Sequence, residues 1–179
     1  TSPSVIHIAT HGVYFPDTIS EKHRDEMMIE ALGEDRFRAS DDPLMRSALV
    51  MAGANYAWAG NILPSGLEDG ILTAKEVSYM NLSNTKLVVL SACQTGLGDV
   101  NGSEGITGLQ RAFKMAGVEY LIMSLWSIPD KETREFMEFF YNQWPAQLDI
   151  YQAFTETQKQ MRNKYPHEPY KWAGFVLVK

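Results

Sequence analysis

Cys93 is the only cysteine in the chain, and it closes the apolar run Lys86-Leu-Val-Val-Leu-Ser-Ala-Cys93, just ahead of Gln94-Thr-Gly-Leu-Gly98. A second run, Ser4-Val-Ile-His-Ile-Ala-Thr10, ends in the same way at His11-Gly12. A thiol becomes a useful nucleophile when a base or a local positive field favours its thiolate. An imidazole can take that proton and later return it to a leaving amine. Glycine beside the histidine lets substrate backbone approach, and the N–H groups of Gly12 and Cys93 can point at a developing oxyanion. Together these residues suit acyl transfer by a cysteine hydrolase. Taken alone, Cys93 reads first as an inert buried thiol, and His11 as a loop histidine bonded to backbone.

Other chemistries are excluded by spacing. The glycines after Cys93 put Asn101 where a dinucleotide fingerprint needs its third glycine, and no Gly-Lys-Ser/Thr follows. Ser91 lacks the Gly-x-Ser-x-Gly elbow of a serine nucleophile. No Cys-x-x-Cys pair is present, and His7 and His11, though four apart, lie along an expected strand rather than on one face of a helix, so no metal site is expected. His7 lies inside the same run as His11 and reads as structural, while His23 and His167 read as surface residues.

The elements that must position Cys93 and His11 follow from periodicity. Strands are expected at residues 5–10, 48–52, 87–92, 120–125 and 173–178, the third and fourth being continuous apolar runs typical of strands covered on both faces. Thr73-Ala-Lys-Glu76 is a capping box opening a short helix. Ile106, Leu109, Phe113 and Ala116 share one face of a second helix, with Gly117 as its terminator. Asp130 is expected to cap a third, carrying Phe136, Met137, Phe140 and Trp144, and Ile150, Phe154, Thr157 and Met161 line a fourth. Both aromatic stripes read as core faces, so no cofactor is expected. The strand–helix–strand order from Leu87 to Leu125 implies parallel neighbours. Ligand sites in such sheets lie beyond the carboxyl ends of the strands, so His11, Cys93 and Ser127, each read as following a strand, are expected at one edge.

A chain of 179 residues is expected to form a single domain over 1–179. Its 45% hydrophobic and 21% charged residues match a globular protein. No apolar stretch approaches the roughly 20 residues of a membrane span, and no signal peptide is read at the start. A lone cysteine fits a reducing, cytoplasmic setting. The net charge of −6, with no Lys/Arg stripe, argues against nucleic-acid binding. Residues 14–46 include a charged stretch, partly helical near 26–32, expected as a surface insertion. A core strand so close to Thr1 leads to the expectation of a C-terminal fragment whose earlier strands are missing.

Several motifs resemble the CHAT domain, a caspase-like cysteine peptidase family related to separases and gingipains. They are Ala9-Thr-His-Gly12, Asp42-Pro-Leu44, Gly70-Ile-Leu-Thr-Ala-Lys-Glu-Val77, Leu90-Ser-Ala-Cys-Gln-Thr-Gly-Leu-Gly98, Ser124-Leu-Trp126, Asp130-Lys131 and Tyr170-Lys-Trp-Ala-Gly-Phe175. The resemblance implies an α/β, caspase-like three-layer sandwich, with a mostly parallel central sheet flanked by helices and the last strand antiparallel. It implies His11 as general base and acid, and Cys93 as nucleophile. It also implies that Ser91, Trp126 and Ser127 help line the pocket for the side chain preceding the scissile bond. Asp130 is a further candidate there. Ser127 stands where caspases carry a basic residue and separases an acidic one, so neither strict preference carries over.

The leading expectation is an intracellular prokaryotic endopeptidase acting on a protein substrate, held latent until an attached sensor or partner, such as tetratricopeptide repeats, orders the loops at 14–46 and 94–104. The alternative is a catalytically silent binding or scaffold module of the same fold.

Overall fold

The structure is a computed structural model that describes residues 2–14, 42–59, 61–91, 93–94, 102–144 and 149–179. Along the chain run β1 (Val5–Ile8), β2 (His11–Tyr14), β3 (Ser47–Val50), α1 (Ala54–Trp58), β4 (Ile71–Thr73), α2 (Ala74–Tyr79), β5 (Leu87–Leu90) and β6 (Cys93–Gln94). They are followed by α3 (Gly102–Met115), β7 (Tyr120–Ser124), α4 (Asp130–Gln143), α5 (Ile150–Lys164) and β8 (Phe175–Val178). Most of the charged stretch expected as an insertion, with its helix near 26–32, lies outside the described residues, as do residues 95–101 of the glycine-rich turn. The chain divides into two compact units: Thr1–Ala9, Ser83–Gln94 and Val118–Lys179 form the first, Thr10–Leu82 and Thr95–Gly117 the second.

The first unit is built on a sheet of order β1-β5-β7-β8, in which β1, β5 and β7 are parallel and β8 is antiparallel to β7. Side chains alternate between the faces of a strand. Leu87 and Val89 on one face of β5, and Val88 and Leu90 on the other, are all buried, as are Leu121, Ile122 and Met123 of β7. Both faces of the sheet's centre are therefore covered, as the continuous apolar runs require. On the face of Leu87, Val89 and Ile122 the cover is α4 and α5, whose Phe136, Phe140, Ile150, Phe154 and Met161 join them in one core. The Phe136 ring stacks on Phe175 with centroids 4.1 Å apart and meets the edge of Phe154 at 5.6 Å.

Helix starts differ from expectation in one case. Asp130 was expected to cap α4, but Pro129 holds that position without a side-chain bond and Asp130 is the first helical residue. Pro129 has the extended backbone of a cap residue, with ψ 143°, but no side-chain oxygen to accept a bond, and Asp130 and Glu132 in the first turn favour the positive helix end by charge. At α5 the cap is Asp149, whose Oδ1 accepts from the Gln152 N–H at 2.8 Å.

In the second unit β2, β3 and β4 form an antiparallel sheet with β3 central, pairing Gly12 with Leu49 and Leu49 with Leu72. Strands β2 and β4 are additions to the sequence reading. Their few residues carry too little alternation to register as a period. The capping box of α2 is complete: Glu76 N–H donates to Thr73 Oγ1 at 3.1 Å, and Thr73 N–H to Glu76 Oε2 at 2.8 Å. Leu109, Phe113 and Ala116 of the α3 face are buried, and the Ile106 side chain lies outside the described residues. Gly117 ends that helix with φ 99°, a conformation glycine adopts without penalty. Among the described residues no helix is long and apolar enough to cross a membrane.

Candidate active site

His11 was expected directly after a strand and instead opens one. After Ile8 the chain breaks pairing for two residues, Thr10 Oγ1 donates to the Val50 carbonyl, and β2 begins with exposed His11 opposite Val50. Cys93 is likewise the first residue of a short strand, β6, rather than a residue of the turn. Ser127 lies three residues beyond the end of β7 and is exposed.

The remaining residues expected around a substrate pocket all belong to the first unit. Ser91 is the first residue past β5 and Trp126 the second past β7, so both lie at the carboxyl edge of neighbouring parallel strands. Trp126 is held there from two sides. Its indole N–H donates to the Tyr170 carbonyl at 2.8 Å, and its ring covers Gly174 so closely that a Cβ on that residue would sit 2.6 Å from Cε2. Gly174→Ala should therefore displace the indole, break its bond to Tyr170 and cost about 1–3 kcal/mol. Urea denaturation measures this, and an unchanged midpoint would show that the ring yields freely.

His7 makes contacts that its reading as a structural residue did not reveal. Its Nε2 lies 3.1 Å from Ser91 Oγ and its Nδ1 3.2 Å from Tyr141 Oη, the two rings being tilted at 5.8 Å. The ring stays at the surface, yet its neighbours withdraw enough water to lower its pKa from the usual 6.5. Burial pushes the Tyr141 phenol up. Since folded His7 binds a proton less readily than the unfolded chain, its stabilising contribution is complete above about pH 6.5 and is lost as pH falls below that value towards the folded pKa. The Tm of the native protein should thus drop more steeply than that of His7→Gln between about pH 7.5 and pH 5. Parallel curves would disprove the shift.

Two further motifs are structural ties. Asp42 accepts from Leu44 N–H at 3.0 Å and pairs with Lys75 of α2 at 2.6 Å, and that bond to Lys75 chiefly lowers its pKa. Lys171, in the closing aromatic motif, bridges buried Glu132 at 3.3 Å and Glu168 at 2.8 Å, while Trp172 Nε1 donates to the Tyr165 carbonyl at 3.1 Å. No group of three His, Cys, Asp or Glu side chains among the described residues could hold a metal ion.

These motifs and the sheet with its antiparallel last strand meet in one comparison: the family model described as CHAT domain matches residues 1–179. The chain belongs to the CHAT domain family. Its mostly parallel first-unit sheet, with β8 reversed, is consistent with the caspase-like fold of CHAT domains. Tetratricopeptide repeat protein 28 of Mus musculus is 34% identical to it over 114 residues, which cover 63% of this chain and 4% of that protein. The Homo sapiens protein of the same name matches with the same identity and coverage. The matched part of this CHAT domain spans 4% of the length of those relatives.

Proposed function

We propose that this CHAT domain is a cysteine endopeptidase. The reading rests on one observation: within a family match over residues 1–179, the chain keeps both the histidine of Ala9-Thr-His-Gly12 and the cysteine of Ser91-Ala-Cys-Gln94. Cys93 passes its proton to the His11 imidazole, and the thiolate attacks the scissile carbonyl carbon. The N–H groups of Gly12 and Cys93 hold the oxyanion. When the C–N bond breaks, the imidazolium protonates the leaving amine. Water, deprotonated by His11, then attacks the thioester, releasing the carboxylic acid and restoring the thiol. Trp126, Ser127, Ser91 and Asp130 line the substrate pocket. Residues 1–179 act as one domain, in the cytoplasm, joined to a sensor such as the tetratricopeptide repeats named in the relatives.

An electrophilic peptide ketone tests this on the full-length protein. Intact-mass analysis should find one adduct, on Cys93, and a much slower reaction in His11→Ala. A folded protein that takes no adduct on Cys93 would instead support a binding or scaffold module. One observation favours that second reading: among the described residues β1 ends the sheet order of the first unit, leaving an edge that can pair with another chain.

A further inference from the structure

Ser91, His7 and Tyr141 come from three separate segments of the first unit, the end of β5, strand β1 and helix α4, yet form one hydrogen-bonded chain. A neutral imidazole has one donor and one acceptor nitrogen, so one of the two flanking hydroxyls gives its proton to the ring and the other receives one from it. A phenol is far more acidic than an aliphatic hydroxyl and is the better donor. With Tyr141 O–H donating to Nδ1, the proton of His7 sits on Nε2 and is donated to Ser91 Oγ, which leaves the Ser91 O–H free of the ring. Covalent geometry keeps the Ser91 Cα within about 7 Å of that of Cys93, two residues on. That is the reach of a side chain next to a bond under attack.

We propose that Ser91, His7 and Tyr141 form a specificity-determining subsite that takes an uncharged, hydrogen-bond-accepting side chain of the peptide substrate, the carboxamide of Gln or Asn. The proposal rests on the peptidase reading above and names its substrate class. Tyr141 and His7 act through Ser91 and are positioning residues. The groups facing His7 are the hydroxyls of Tyr141 from α4 and Ser91 after β5. Protonating the ring makes both nitrogens donors, frees the Tyr141 hydroxyl proton as well and adds a positive charge. The preference then moves from carboxamide to carboxylate.

The test uses full-length protein and a peptide series varied at one position among Gln, Glu, Lys and Leu. Wild type is assayed for cleavage, and Cys93→Ala for binding by calorimetry, each also with Ser91→Ala or Tyr141→Phe; circular dichroism checks folding. Gln peptides should be preferred at neutral pH by about fivefold or more, the bond formed being one hydrogen bond in a partly desolvated site. Both substitutions should remove that preference, and lowering the pH should raise the rank of Glu. A Gln preference that survives both substitutions, a different preferred residue, or no binding by any peptide overturns the subsite. If cleavage continues in those cases, the peptidase reading stands. Selective Gln binding without cleavage by wild type supports the subsite and overturns the peptidase reading alone.

Discussion

Cys93→Ala in the full-length protein is expected to lower kcat/KM for peptide cleavage by about a thousandfold or more, and His11→Ala by nearly as much. The double variant should be no worse than the poorer single one. A nucleophile without its base and a base without its nucleophile each leave the same residual catalysis, from binding and oxyanion stabilisation. Steady-state kinetics on all three variants checks this. Multiplying losses in the double variant would mean that the two residues act independently, and retained cleavage in Cys93→Ala would remove the thiol from the mechanism. The oxyanion donors proposed here are backbone N–H groups, which neither substitution deletes.

Phe136→Ala is expected to cost about 3–5 kcal/mol in unfolding free energy. The ring is fully buried, stacks on Phe175 and meets Phe154 edge-on, so its removal opens a cavity shared by α4, α5 and the final strand. Phe136→Leu should cost less, because part of the volume is kept. Guanidinium denaturation of both variants provides the measurement. A loss under about 1 kcal/mol for the alanine variant would mean that the three elements close over the space. Tyr141→Phe, by contrast, keeps the ring and removes only a half-buried hydroxyl.

The sheet of the first unit was legible because its central strands, β5 and β7, are buried on both faces. Such strands must be continuous apolar runs, and Lys86-Leu-Val-Val-Leu-Ser announces one without any tertiary information. The antiparallel sheet of the second unit was half legible. Ser47–Val50 is apolar enough to be found, whereas His11–Tyr14 and Ile71–Thr73 are too short for a period of two to stand out. The capping box survived intact, because its partners lie within one helical turn. The expected Asp130 cap failed because the helix starts one residue earlier, with Pro129 in the cap position and Asp130 already helical.

The candidate site divides along the same line. His11 and Cys93 were visible as residue types at the ends of apolar runs, and the family motifs around them are local strings. The contacts of His7 were not visible, because they join residues 84 and 134 positions apart. Tyr141 lay unremarked within the aromatic stripe of its helix. The sequence alone therefore established which side chains are available for chemistry and which faces are apolar, since both depend on residue type and near-neighbour spacing. The folded structure was needed to pair His7 with Ser91 and Tyr141, to seat Trp126 over Gly174, and to tie Asp42 to Lys75. Each of these depends on strand register and helix placement, which arise from packing the whole core and are written in no single segment.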